Sequence, residues 1–203
     1  MSRSVAAAGF VLLAALTAPA QPAARPVKEV SLDPQSFDDT AEVLKIVKRS
    51  GRVKLAADAP RGRLAVEFYV AGKKDAVTPS IGYGTQGKGE EVRMTRFAVQ
   101  FADLDYLPLG TGPKGHHRML LKVGTGELIA SITTDVPKDV FDASNGSGGG
   151  VFDADAATAT EIPLFWMVAR TNTVSSARTP REIVEKHSGA QVAIFTLRLG
   201  EKK

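Results

Sequence analysis

The sequence contains no cysteine in its 203 residues. This absence excludes disulfide bonds, a thiol nucleophile and any metal site built on cysteine ligands. A folded domain without disulfides must be stabilised by its core alone. Hydrophobic residues make up 43% of the chain, which is enough for such a core, and charged residues make up 24%. This composition is typical of a globular protein rather than a disordered one.

Motifs of several enzyme classes are also missing. The sequence has no SxxK and no GxSxG, since Asn145 stands where a GxSxG motif around Ser147 would require glycine. It has no HExxH pair either. A site assembled from distant residues would leave no such motif, so a hydrolase remains an open alternative.

The positive charge is small and spread along the chain. The formal net charge is +4, and adjacent basic residues occur only at 48–49, 73–74 and 202–203. A nucleic-acid-binding protein concentrates its cations on one face. We therefore interpret these residues as scattered surface cations and expect no nucleic-acid partner.

The first twenty residues have the features of a secretory signal peptide. Arg3 precedes an apolar run at 5–16 (VAAAGFVLLAAL), and small residues at 18–20 offer a cleavage site, which we place after Ala20. The run is shorter than the roughly 20 residues of a membrane span. We expect a secreted or periplasmic protein with no transmembrane segment after cleavage, and a short flexible leader at 21–27.

The remaining residues, 28–203, read as one mainly β domain. Residues 64–70 alternate as a half-buried strand, with Phe68 on the buried face. The alternation that starts at Val92 changes phase before Phe97, which predicts a bulge near Thr95-Arg96. Residues 117–123 predict another strand, and Gly124-Thr125-Gly126 predicts a reversal into a hairpin partner.

The C-terminal third predicts one buried strand, one short helix and a final strand. Residues 164–168 (LFWMV) are continuously apolar, as in a strand buried on both faces. Thr179 and Glu182 form a capping box around Pro180, which predicts a helix start. Before these elements lies a glycine-rich stretch at about 142–161, which we predict to be a long loop.

One segment near the N-terminus admits two interpretations. Residues 34–49 show helical spacing of apolar residues, with acids first and bases last, and Gly51 would end the helix. Their β-branched residues also fit a β-hairpin. Taken together, the patterns predict an antiparallel β-sandwich with one or two short helices, with an α+β fold as the alternative.

The stretch GYGTQGKG at 82–89 resembles part of a phosphate-binding loop. Gly89 stands where that loop needs Ser or Thr, and the acids Glu90 and Glu91 follow at once. The segment after it predicts a strand rather than a helix, so we interpret GYGTQGKG as a turn.

The histidines do not have the spacing of a metal site. If residues 116–123 are extended, His117 faces the core and His116 faces outward, because neighbouring side chains on a strand point to opposite sides. His187 lies at the predicted end of the second helix, where it would satisfy the last carbonyl groups. We interpret all three as structural residues.

Two groups of acidic residues are candidates for a site. Oxygen ligands that would suit calcium border the glycine-rich stretch, although they lack the spacing of an EF-hand. These candidates are Asp142, Asn145, Asp153 and Asp155. Asp103 and Asp105 would share one face of a strand, as paired catalytic carboxylates do, but we interpret them as solvated loop acids.

Two functions follow as hypotheses. The first is an exported, non-enzymatic binding or structural domain of unknown ligand, which would present loops at 82–91, 108–116 and 142–161 from a rigid sheet. The second is a secreted hydrolase whose site would be assembled from distant residues. It would require at least three of His116, Asp103, Asp105 and His187 to converge. We expect no cofactor other than calcium.

Overall fold

The computed structural model describes residues 27–33, 46–56, 59–83, 92–106, 112–125, 128–144, 147–171 and 177–200. They form two antiparallel β-sheets packed face to face, as the alternating patterns predict. The predicted signal peptide, all but the last residue of the predicted leader, and residues 34–45 lie outside the described residues.

Eleven strands and one helix make up the described part of the chain. The strands are β1 (Val27–Leu32), β2 (Ile46–Ala56), β3 (Gly62–Val70), β4 (Lys73–Lys74), β5 (Ser80–Tyr83), β6 (Val92–Asp103), β7 (His116–Thr125), β8 (Leu128–Pro137), β9 (Ser147–Val151), β10 (Glu161–Ala169) and β11 (Gln191–Leu199). The helix is α1 (Pro180–Lys186), and a short 3-10 turn covers Ala154–Ala156.

The first sheet has the strand order β1-β2-β6-β7-β8. The second has the order β4-β3-β11-β10-β9, and β5 pairs with β3 beside β4. Aromatic rings join the two sheets. Phe97 of β6 stacks on Phe165 of β10 at 5.5 Å between ring centroids, and Phe165 stacks on Phe195 of β11 at 4.1 Å. The core thus lies between the sheets. Among the described residues, no helix or further strand covers the outer face of the first sheet.

The outer face of the second sheet carries a smaller core. Trp166 and Val168 of β10 pack there with Ile183 of α1. This cover explains why residues 162–169 are all buried, as the apolar run predicts. The predicted capping box is confirmed at its first bond, since Thr179 Oγ1 accepts a hydrogen bond from the Glu182 backbone N–H at 3.2 Å. No helix among the described residues has the length and apolar character that a membrane span requires.

The predicted hairpin after residue 123 is confirmed. Strands β7 and β8 pair antiparallel from Thr125 and Leu128 outward, and the buried face of β7 carries His117, Met119 and Leu121. The strand predicted at 64–70 is confirmed as β3. Period-two alternation therefore identifies these strands correctly.

The predicted bulge near Thr95-Arg96 is wrong. β6 pairs with β2 and with β7 in unbroken register through these residues. The apparent change of phase arises because a polar residue, Thr95, occupies a buried position, where its Oγ1 lies 3.4 Å from Thr125 Oγ1. Met94, which looks like a core residue in the sequence, is on the other face of the strand.

The helical interpretation of 34–49 is wrong for its last residues, because 46–49 belong to β2. Gly51 does not end a helix. It lies within β2, where a Cβ atom would be 2.3 Å from the Ser31 carbonyl oxygen and 2.6 Å from Phe97 Cζ. The Phe97 ring occupies the place of a side chain at Gly51, so the glycine marks close packing in a strand.

The glycine-rich stretch at 142–161 contains a strand that the sequence pattern does not reveal. β9 pairs with the edge of β10 through Gly148, Gly149 and Gly150. A Cβ atom at Gly149 would lie 2.4 Å from the Trp166 carbonyl oxygen, so the backbones approach closely here.

Candidate functional site

A groove crosses the outer face of the first sheet. It has a volume of about 350 Å³, within the usual range for small-ligand sites. Residues of β2, β6, β7 and β8 line it, and Asp33 closes the side next to β1. The floor is low because small residues occupy the centre of the sheet, at Ser50, Ala98 and Gly124.

The rim of the groove is basic. Four cations line it, one or two from each of three neighbouring strands: Lys48, Arg52, Arg96 and Lys122. All four side chains are exposed. Among the described residues, the only acid in the lining is Asp33, whose Oδ1 lies 3.6 Å from Arg52 Nε and whose Oδ2 accepts a hydrogen bond from Ser50 Oγ at 2.9 Å.

The other three cations of the rim have no such partner. Within the described ranges, Lys48, Arg96 and Lys122 form no ion pair. In addition, Arg52 and Arg96 are directly opposite each other in the register of β2 and β6. Like charges in opposed positions on one sheet face destabilise the pairing. The opposed arginines are therefore unfavourable for the pairing of β2 with β6.

The interpretation of the basic residues as scattered is therefore corrected. They are dispersed in sequence, but the register of three strands brings four of them to one face. The alternation of inward and outward residues along β6 does indicate that one of these cations, Arg96, lies on the outer face. In β6, Arg96 occupies an outward position flanked by the buried Thr95 and Phe97. The sequence does not identify the neighbouring strand, because its first residues, 46–49, belong to the segment that fits either a helix or a hairpin.

A second group of polar residues is buried at one end of the sandwich. Asp103 ends β6 and is fully buried, so its interpretation as a solvated loop acid is wrong. Lys138 Nζ donates to Asp103 Oδ2 at 2.8 Å and to Asp105 Oδ2 at 2.6 Å. Burial raises the pKa of Asp103, but the hydrogen bonds from Lys138 Nζ and from the Asp105 backbone N–H outweigh it and hold that pKa below its ordinary value.

The same group of buried polar residues includes His117 and its contacts. The imidazole is fully buried, and its Nε2 lies 3.2 Å from Asp142 Oδ1. Burial lowers the pKa of His117, and the nearby carboxylates only partly oppose this effect. Burial raises the pKa of Asp142, but hydrogen bonds from Ser144, His117 and Arg170 hold it far below its ordinary value. The resting state therefore has a neutral imidazole beside an ionised carboxylate.

Ser144, His117 and Asp142 do not form a catalytic triad. A triad places serine and carboxylate on opposite nitrogens of the imidazole. Here Ser144 Oγ, at 3.4 Å, and Asp142 Oδ1 both approach Nε2, while Nδ1 has no partner in the described part of the molecule. Ser144 Oγ instead donates to Asp142 Oδ1 at 2.6 Å. This geometry holds the turn after β8 and leaves no proton relay from the serine.

The residues named for a hydrolase site do not converge as a set. Asp103 and Asp105 meet at Lys138, but His116 faces away from His117 and its Nδ1 lies 3.0 Å from the Lys114 carbonyl oxygen. His187 is at the end of α1, as predicted. Its ring packs 5.8 Å from the Trp166 ring, on the far side of the second sheet, and its buried Nε2 has no partner among the residues described.

Three of the four calcium candidates lie among the described residues, and these three are not grouped together. Asp142 is buried and binds His117 and Arg170 near the start of β9, whereas Asp153 and Asp155 follow the end of β9 and are exposed. The five residues of this strand span roughly 17 Å. Asn145 lies outside the described residues, and within them no group of three or more His, Asp or Glu side chains is placed to hold a metal ion.

Most of the GYGTQGKG stretch lies outside the described residues, which include only Gly82 and Tyr83 at the end of β5. The same is true of residues 107–111 in the second predicted loop. The groove on the first sheet is therefore the candidate site that the described residues build. It is formed by a sheet surface and not by the predicted loops.

Comparison of the chain with protein-family models, with curated proteins and with the solved structures finds no match. The fold and the groove define only a class of protein. The chain is a mainly β protein of two antiparallel sheets with a basic groove on the open face of one of them.

Proposed function

We propose that this protein is an exported, non-enzymatic binding domain, and that its groove holds an anionic ligand. The observation that carries the proposal is the opposed pair Arg52 and Arg96, with Lys122 on the next strand. Three cations on one face favour a ligand with two or more negative groups, such as carboxylates or sulfates. Export is supported by the composition of residues 1–20.

The chemistry of the lining supports binding rather than catalysis. Among the described residues, Asp33 is the one acid of the lining, and it already binds Ser50 and Arg52. None of the described lining residues is a histidine. A general acid–base mechanism needs a proton donor and an acceptor free to reach the substrate, and the carboxylate of Asp33 is already occupied by these two contacts. The apolar side chains Leu120 and Ile129 would contact the uncharged part of a ligand.

The proposal is tested by binding of a sulfated polymer and its neutral parent. Isothermal titration calorimetry with dextran sulfate and with dextran separates charge from the sugar backbone, and polygalacturonate tests carboxylates. We expect dextran sulfate to bind, dextran not to bind, and the affinity to fall as salt is added. Equal binding of dextran and dextran sulfate would contradict the proposal.

Variants identify the surface that binds. Lys122→Gln removes one groove cation, and Lys73→Gln removes an exposed lysine from β4, on the other sheet. One exposed charge pair contributes up to about 1 kcal/mol, so we expect Lys122→Gln to weaken binding by about fivefold and Lys73→Gln to have no effect. Equal losses in both variants would indicate non-specific attraction to a basic protein.

A further inference from the structure

One line of residues crosses the groove from its charged side to an exposed apolar side chain. The register places these residues directly opposite one another on four neighbouring strands: Arg52 on β2, Arg96 on β6, Gly124 on β7 and Ile129 on β8. All four line the groove. The two ends of the line therefore differ in chemistry, with a pair of cations at one end and an aliphatic side chain at the other.

The apolar end of this line is well exposed. Ile129 is 66% exposed, more than any other large hydrophobic side chain in the described part of the chain. A single exposed apolar residue needs no explanation by itself, but this one is aligned with the two arginines. Only glycine fits at Gly124, because a Cβ atom there would overlap the Leu128 carbonyl oxygen. No side chain therefore stands between Arg96 and Ile129.

We propose that the groove binds a free small molecule that has an acidic group at one end and an apolar chain or ring at the other. The molecule lies across the strands, with its acidic end at Arg52 and Arg96 and its apolar end against Ile129. This inference rests on the proposed function and adds the polarity and the length of the ligand. Guanidinium groups match carboxylates in charge and shape, and removal of apolar surface from water stabilises the other end.

The spacing of the strands gives the length of the ligand. Arg96 and Ile129 are two strand spacings apart, which is roughly 10 Å. An extended chain advances about 1.2 Å per bond, so about eight bonds reach from one end to the other. A compact anion would bind at the arginines without contacting Ile129.

The remaining lining agrees with this polarity, apart from one lysine. Lys48 lies on β2, on the charged side, and Leu120 lies on β7, on the apolar side. Lys122 also lies on β7, but a lysine stem can cover apolar surface while its ammonium group stays in water. Because Leu120 and Ile129 lie within a groove that has a charged rim, they fit a single apolar chain better than a membrane surface.

A series of ligands that differ only in chain length tests the apolar end. Methylmalonate, butylmalonate and octylmalonate each carry two carboxylates at one end, and NMR titration of the labelled protein measures their affinities, weak binding included. One fully buried methylene contributes up to about fourfold in affinity. Because the groove is open, we expect less per carbon, and a total gain of at least about tenfold from methylmalonate to octylmalonate.

Variants at the two ends test which residues each part of the ligand contacts. Ile129→Ser should remove most of the gain with chain length and leave the affinity for methylmalonate unchanged. Leu128→Ser is the matched control, because Leu128 is the neighbouring exposed apolar residue but lies on the opposite face of β8, and it should keep the gain. Arg96→Gln should weaken methylmalonate and octylmalonate by the same factor, because it acts on the acidic end alone. Circular dichroism checks that each variant folds.

Equal affinities for the three malonates would overturn the inference. So would a gain with chain length that survives in Ile129→Ser, or one that is lost equally in Leu128→Ser. Dextran sulfate separates this failure from failure of the proposed function, because its binding depends on charge and not on an apolar chain. If dextran sulfate binds while the malonates show no gain, only the apolar end is wrong, and if neither binds, both proposals fail.

Discussion

Arg52 and Arg96 are directly opposite each other on neighbouring strands, and both side chains lie on the open face of the first sheet. Their backbone positions are fixed by a register that is unbroken from Ile46 to Ala56. The two charges therefore cannot separate unless the side chains bend away. Asp33 approaches Arg52, at 3.6 Å, and partly offsets its charge, whereas Arg96 forms no ion pair within the described ranges.

The first prediction is that Arg96→Gln has opposite effects on stability and on binding. Without ligand and at low salt, the substitution should raise the free energy of unfolding by about 0.2–1 kcal/mol, because it removes an opposed like charge. The same substitution should weaken dextran sulfate binding by about fivefold. Urea unfolding and calorimetry measure the two quantities. Arg61→Gln, an exposed arginine next to β3, is the control and should change neither.

Salt provides an internal check on this result. Added salt screens exposed charges, so the stability difference between the protein and Arg96→Gln should shrink as ionic strength rises. A difference that does not depend on salt would show that Arg96 acts through packing and not through its charge.

The second prediction concerns Gly51. Gly51→Ala places a Cβ atom against the Ser31 carbonyl oxygen and the Phe97 ring, both closer than real Cβ contacts allow. The variant should lose about 1–3 kcal/mol of unfolding free energy, as in other overpacked cores. Gly189→Ala is the matched control, because a Cβ there meets no atom within 4 Å. A loss in Gly189→Ala as large as that in Gly51→Ala would contradict the packing explanation, because alanine restricts the unfolded chain and by that effect alone would raise stability.

Much of the fold could be predicted from the sequence, for a physical reason that is visible in β3 and β7. From His117 to Val123 in β7, and in β3 apart from the buried Ala65, alternate residues are buried, so burial and sequence share the same period of two. The prediction failed where another requirement outweighs that period. At Thr95 a polar residue occupies a buried position of β6. At Gly51 the strand has no side chain, and the Phe97 ring packs in the space that a side chain would fill.

The groove could not be predicted in the same way. Its cations come from three strands, and only the register of β2, β6 and β7 places them together. Register depends on pairing between distant residues, which a single sequence does not display. The buried pairing of Asp103 with Lys138 was missed for the same reason, since 35 positions separate the two residues.

The third prediction is that Asp103 contributes more to stability than Asp105, although both bind Lys138. Asp103 is fully buried, and its Oδ1 also accepts a hydrogen bond from the Asp105 backbone N–H at 3.0 Å. Asp103→Asn should cost about 1–3 kcal/mol, because the amide leaves part of this network unsatisfied. Asp105→Asn should cost clearly less, since its carboxylate is exposed to water. Urea unfolding of both variants at neutral pH decides the order, and a larger loss for Asp105→Asn would contradict it.

The fourth prediction is that His117 makes the fold sensitive to mild acid. Burial lowers the pKa of His117 below its ordinary value of 6.5 in the folded protein. The unfolded chain therefore takes up this proton first as the pH falls. The stability contributed by neutral His117 is complete above pH 6.5 and is lost as the pH falls from there through the folded pKa. The slope from this one proton is at most about 1.4 kcal/mol per pH unit.

His117→Gln tests the origin of this acid sensitivity. Glutamine does not titrate, and its side-chain amide can donate to Asp142 Oδ1, the carboxylate oxygen that Nε2 now approaches at 3.2 Å. The variant should be less stable at neutral pH but should lose stability less steeply between about pH 6.5 and pH 5. His116→Gln, at a half-buried and outward-facing neighbour, should keep the original slope. Because Asp142 and Asp103 have lowered pKa values, their contributions are lost only at more acidic pH, so they do not obscure the comparison. An unchanged slope in His117→Gln would show that another group binds the proton.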